Sequence, residues 1–109
     1  MLREIQEFSA DQFFLKIRAE LIKGNKFQVR VYYNRGHFDY AYQLFRDAPL
    51  LRWDNKEEFR NLGTYPHHHH DVQGNVLPSP LGGDPLKDIE YVLEQVSAFI
   101  ANESKTQDI

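Results

Sequence analysis

Apolar residues alternate with polar ones through most of the first half of the chain. Leu15, Ile17, Ala19 and Leu21 are interleaved with Lys16, Arg18 and Glu20, the period-two signature of a strand with one wet face. Lys23-Gly24-Asn25 supplies turn chemistry. Phe27, Val29, Val31 and Tyr33 then alternate with Gln28, Arg30 and Tyr32 in a β-branched and aromatic run, so the two segments predict a hairpin. A second turn, Asn34-Arg35-Gly36-His37, leads to a third strand in which Phe38, Tyr40, Tyr42 and Leu44 are interleaved with Asp39, Ala41 and Gln43. After Asp47-Ala48-Pro49, the segment Leu50 to Asn55 reads as a short fourth strand, with Pro49 at its start, where a missing N–H does least harm. Met1 to Phe8, carrying Leu2, Ile5 and Phe8, fits either a short helix or an added edge strand.

From Lys56 to Gly83 the periodicity disappears, and Gly63, Pro66, Gly74, Pro78, Pro80, Gly82 and Gly83 punctuate a long connection. Such a connection inside one domain is usually functional or mobile. Asp84-Pro85 opens a helix, with Asp84 as N-cap acceptor and Pro85 at the first helical position. Leu86, Ile89, Val92, Leu93, Val96, Phe99 and Ile100 fall at helical spacing, which predicts a helix over about 85–101 that covers the sheet. Residues 104–109 are expected to form a disordered tail. The fold class is α+β: a single domain over 1–103, a mostly antiparallel meander of about four strands packed by one C-terminal helix.

One helix shields one face of a meander, so the other face must tolerate water. If the alternation holds, Lys16, Arg18, Gln28, Arg30 and Gln43 lie there, with Tyr32, Tyr33, Tyr40 and Tyr42 shared between the faces. Cations interleaved with aromatic rings bind single-stranded nucleic acid through charge and stacking. Sheets also place such residues on a wet face for solubility and cross-strand pairing alone, and that is the commoner use.

Composition narrows the classes. At 109 residues the chain holds one domain and one modest core. The absence of cysteine excludes disulfides, thiolate zinc sites and cysteine nucleophiles, and fits a reducing cytoplasm. No apolar run approaches the roughly 20 residues that cross a bilayer, and Met1-Leu2-Arg3-Glu4 is too charged to begin a signal peptide's core. A soluble cytoplasmic protein with no membrane partner is expected. The net charge of −3 argues against wholesale nucleic-acid binding, yet it is unevenly placed. Residues 1–60 hold eleven Lys and Arg against nine acids, a balance of +2, while 61–109 hold two against seven, a balance of −5. The first half can face phosphate locally.

Two clusters carry candidate chemistry. Four of the five histidines stand in one row, His67 to His70, between Pro66 and Asp71. Imidazole titrates near neutral pH and ligates transition metals, so the row suits proton transfer or metal capture. A purification tag is the bland reading, but tags ordinarily sit at a chain end. Upstream, Arg52-Trp53-Asp54-Asn55 sets the only tryptophan between a cation, a carboxylate and a carboxamide.

Tyr42-Gln43-Leu44, then Arg52-Trp53-Asp54-Asn55, then Pro66-His67-His68-His69-His70 are similar to the successive motifs of the TumE family. That family comprises small toxins of type II toxin-antitoxin pairs in bacteria. The resemblance runs from Tyr40 to about Ile100 and ends in a C-terminal helix. It makes His69 the variable position and assigns the paired roles to His67, His68 and His70. Many members continue Arg-Trp-Asp-Asn with Ala-Pro-His-His, whereas Lys56-Glu57-Glu58-Phe59 follows here. The resemblance implies a cognate antitoxin, with a helix-turn-helix domain expected of it, and RNA as candidate substrate; a homodimer is also compatible.

RNA is cut without metal when a base takes the 2′-hydroxyl proton, an acid protonates the leaving oxygen and a cation stabilises the charged phosphorane. His68 and His70 are the acid and base candidates, sharing a side if the segment is extended; in a helical turn His67 and His70 would share it. Arg52 can grip phosphate and Asp54 can orient a histidine tautomer. Asp54 and Asn55 fit turn-making equally well, and His37 reads as a turn histidine. Trp53 either stacks on a base or, more in keeping with its type, anchors its strand in the core. With Lys16, Arg18, Arg30 and Tyr32 it completes the candidate RNA-binding set. No cofactor is expected beyond adventitious zinc or nickel. The rival readings are a metal site built on His67, His68 and His70 with Asp54 or Asp71, and a non-catalytic binding module.

Overall fold

The computed structural model describes residues 2–107. Seven strands lie side by side in chain order, each antiparallel to the next: β1 (Leu2–Ser9), β2 (Gln12–Glu20), β3 (Lys26–Asn34), β4 (His37–Phe45), β5 (Pro49–Asp54), β6 (His68–His70) and β7 (Val76–Pro78). One helix, α1 (Pro85–Gln107), follows. The architecture is α+β as expected, but the sheet has seven strands rather than about four. The four alternating segments are β2 to β5. The N-terminal segment is an edge strand rather than a helix, although Met1 lies outside the described residues. β6 and β7 fall inside the stretch read as loop; at three residues each they are too short to show a period, and β5 recruits them by pairing. The helix continues past residue 101 because no Gly or Pro interrupts 102–107. The helix runs through 104–107, part of the tail expected over 104–109; side chains from Ser104 on, and Asp108 and Ile109 entirely, lie outside the described residues.

Register decides what is buried. Phe27, Leu44 and Leu51 align across β3, β4 and β5; Val29, Tyr42 and Trp53 align beside them, and Val31 faces Tyr40. All eight are buried, and the buried residues of α1 that meet them form an i, i+4 row, Asp88, Val92, Val96 and Ile100, with partly buried Ile89 and Phe99 beside it. Leu86 and Leu93, expected to face the sheet, are instead 89% and 48% exposed, because they lie roughly 80–100° round the helix from the centre of that row. Tyr33, Tyr40 and Tyr42 share the helix side and Tyr32 alone takes the other, so the tyrosines divide three to one between the faces. The turn from β3 to β4 is a two-residue hairpin in which Arg35 and Gly36 both have positive φ, 48° and 87°, the backbone twist such hairpins demand.

The far end of the helix is tied to the sheet by charge. Arg46, just beyond β4, grips Glu103 through two parallel bonds of 2.8 and 2.9 Å and reaches Asn25 at 3.1 Å. That grip holds the Glu103 carboxyl below its usual range. At the near end, buried Asp88 accepts the backbone N–H groups of Gly82 and Gly83, drawing the segment after β7 back onto the first turns of α1.

Candidate functional site

The face of the sheet away from α1 carries two adjacent rows. One runs Lys16, Arg30, Ala41, Asp54 and His68; the next runs Arg18, Gln28, Gln43, Arg52 and His70. The alternation of a strand forces this: Arg52 and Asp54 share the face that Trp53 leaves, and His68 and His70 share the face that His69 leaves. The histidine row is thus largely a strand rather than a loop, in its extended arrangement. Asp54 is in register with His68, and Arg52 with His70.

Asp54 is the centre of the cluster. Its Oδ2 accepts a bond from Arg52 Nε at 2.7 Å and stands 3.7 Å from His70 Nε2. Its Oδ1 accepts the Lys56 N–H at 2.9 Å, the local turn bond an aspartate makes, and stands 2.9 Å from His68 Nε2. Asp54 is 4% exposed and His68 1%. The His68–Asp54 contact is short but off the line of a hydrogen bond, so buried Nε2 has no well-formed partner. On the same ring Nδ1 faces the Pro66 carbonyl at 3.1 Å. A carbonyl only accepts, so Nδ1 carries a proton; Nε2 then meets Asp54 favourably only if it carries one too, or if a cation joins them.

Access is uneven. Phe59, from the loop after β5, lies edge-on over both rings, with centroids 4.7 Å from His68 and 5.9 Å from His70. His70 and Arg52 nevertheless keep 31% and 38% of their side chains exposed. Arg52 also donates to Gln43 at 3.1 Å, so its guanidinium is held from two sides. Burial pushes the His70 imidazole below its ordinary value, opposed by the Asp54 carboxylate and reinforced by neighbouring His68 and Arg52. Sequence reasoning did not single out Phe59. The signal was nonetheless present, since Phe59 ends the Lys56-Glu57-Glu58-Phe59 segment where the chain departs from the expected motif.

The other candidates are placed elsewhere. His67 turns to the helix side, where its Nδ1 pairs with the Tyr40 hydroxyl at 2.8 Å and its ring stacks on Tyr40. Gly83 allows that approach: it has φ +99°, and a Cβ there would stand 3.2 Å from the His67 ring. Burial lowers the His67 pKa and raises those of Tyr40 and Tyr42, with Asp88 adding to the rise in both tyrosines. His69 stacks on Trp53 at 4.6 Å and pairs with the Arg52 carbonyl, and its pKa too is lowered by burial. Trp53 itself is 1% exposed within the core. Asn55 does not bond its own turn: its amide accepts from Tyr40 N and donates to Phe38 O, extending the β4 ladder by one side chain. Asp71 is held in the β6–β7 turn by Gln73 and Asn75, and His37 pairs with Asp39 at the surface. Among the described residues, the donors that converge closely enough to hold one ion are therefore Asp54, His68 and His70, all within 4.8 Å of one another, with Asp54 in the place expected for His67.

Among the described residues no helix is long and apolar enough to cross a membrane. No curated protein and no solved structure matches the chain. The family model described as Toxin TumE matches residues 2–104, well beyond the Tyr40 to Ile100 stretch that carries the sequence motifs. The chain belongs to the TumE toxin family, which implies a cognate antitoxin as its partner.

Proposed function

We propose that this toxin cleaves RNA on the open face of its sheet, without a metal, through His70, His68, Arg52 and Asp54. The observation that carries the reading is the pairing of two accessible groups: His70 and Arg52 face each other on neighbouring strands, and both lie against one oxygen of buried Asp54. His70, uncharged near neutral pH because burial lowers its pKa, takes the 2′-hydroxyl proton as that oxygen attacks phosphorus. Arg52, steadied by Asp54 and Gln43, offers its remaining donors to the phosphorane. His68, oriented by the Pro66 carbonyl at Nδ1 and by Asp54 beside Nε2, acts as the acid and passes a proton from Nε2 to the departing 5′-oxygen once Phe59 swings aside. The bond from phosphorus to that oxygen breaks and a 2′,3′-cyclic phosphate remains. Lys16, Arg18, Arg30 and Tyr32 lie on the same face, where they meet the substrate's phosphates and bases.

The test is cleavage of labelled RNA in the presence of a chelator. The expected result is cleavage that survives the chelator and is lost both with His70→Ala and when the scissile nucleotide lacks its 2′-hydroxyl. Chelator-resistant cleavage of the 2′-deoxy substrate would remove the mechanism.

A second reading rests on the unpartnered Nε2 of His68. With Nδ1 held by a carbonyl, Nε2 is free to ligate, and two histidines and a carboxylate suit zinc. Against it, Arg52 already sits on Asp54 Oδ2, placing a fixed positive charge beside the ion. Activity abolished by the chelator and restored by one particular ion would favour this reading over the first.

A further inference from the structure

β1 is a long free edge. Among the described residues it pairs with β2 alone, every described side chain along it is exposed, and Ile5 and Phe8 are 61% and 59% exposed. The opposite edge, β7, is three residues long and ends in Pro78, so it is blunted as edges usually are. β1 carries no proline, and its one irregularity lies between Glu7 and Ser9. Arg3 to Glu7 is thus a regular stretch whose unpaired backbone groups can take another strand.

The sequence of that stretch is complementary to itself. Laid antiparallel about Ile5, Arg3 of each copy faces Glu7 of the other, Glu4 faces Gln6, and Ile5 meets Ile5 on the two-fold axis. Arg3, Ile5 and Glu7 are in register with Ile17, Leu15 and Phe13 of β2, so they lie on the helix side of the sheet. The Ile5 pair therefore completes an apolar row, Leu15, Ile5, Ile5, Leu15, across four strands, flanked above and below by one Arg3–Glu7 pair. The smallest slip that keeps the two faces matched is two residues in pairing sum, and it sets Glu4 against Glu4 or Glu7 against Ile5. Charge selects one register.

We infer that two copies of this chain pair through β1, centred on Ile5, into a symmetric dimer with one continuous sheet and both helices on the same side. Sedimentation equilibrium over a concentration series tests it, with circular dichroism reading the fold of each variant. The wild-type chain sediments as a dimer. Arg3→Glu or Glu7→Arg alone sets like charges opposite each other twice and weakens the dimer about tenfold. The two reversals together restore it. Ile5→Cys, in a chain with no cysteine of its own, gives a disulfide-linked dimer under mild oxidation. A chain that is monomeric throughout the series overturns the inference and leaves the edge to the antitoxin. A dimer indifferent to the single charge reversals overturns it as well.

Discussion

Removing the carboxylate of Asp54 tests the centre of the site. Asp54→Ala takes away the acceptor of two hydrogen bonds, from Arg52 at 2.7 Å and Lys56 at 2.9 Å, and the charge 2.9 Å from His68 Nε2. Arg52 is 38% exposed and turns to water, so its loss costs at most about 1 kcal/mol. The Lys56 N–H is at an exposed residue and is also resolvated, for less than about 1 kcal/mol. His68 is 1% exposed beneath Phe59, and its Nε2 loses the polar group that faces it at 2.9 Å; a buried polar atom left without a partner costs about 1–3 kcal/mol. The expected destabilisation is about 3 kcal/mol, a large part of the roughly 5–15 kcal/mol that holds a domain of this kind together. With a urea m-value of about 1.5 kcal/mol/M, the unfolding midpoint falls by about 2 M. In a His68→Ala background the same substitution costs only about 1–2 kcal/mol, since the stranded group is gone. An Asp54→Ala protein within about 0.5 kcal/mol of wild type would refute the reasoning, because that is the cost of an ordinary surface change.

Three further outcomes follow from the packing. Trp53→Ala removes a ring that is 1% exposed and stacked on His69, and lowers stability by about 3–5 kcal/mol in chemical denaturation; a loss under about 1 kcal/mol would place the ring outside the core. Gly83→Ala strains a φ of +99° and crowds the His67 ring at 3.2 Å, so calorimetry finds a loss of about 1–2 kcal/mol, whereas an unchanged or higher Tm contradicts the close approach. Burial lowers His67, His69 and His70, so as the pH falls below about 6.5 the unfolded chain takes up protons before the folded one does. Stability from this source is fully present above that pH and is lost as the pH descends from there toward the folded values. A Tm that stays level or rises between about pH 7 and about pH 5.5 would contradict the direction of those shifts.

The amino-acid sequence by itself determined the four alternating strands β2 to β5, the helix start at Asp84-Pro85 and the α+β class, because alternation and capping are local properties. It also brought Arg52, Asp54 and the histidine row together as one candidate cluster, through residue type and motif spacing. Only the tertiary structure decided the rest. β6 and β7 carry no periodic signal of their own and exist because β5 offers an unpaired edge. Which histidines face Asp54 depends on pairing register, and a one-residue slip would have presented His67 and His69 instead. The separation of His67 from His68, the burial of His68 and the lid made by Phe59 all arise from contacts between residues far apart in the chain. Local patterns specify which face of a strand a side chain takes relative to its neighbours; the packed sheet specifies which face is the core, and so which of four adjacent histidines are left to do chemistry.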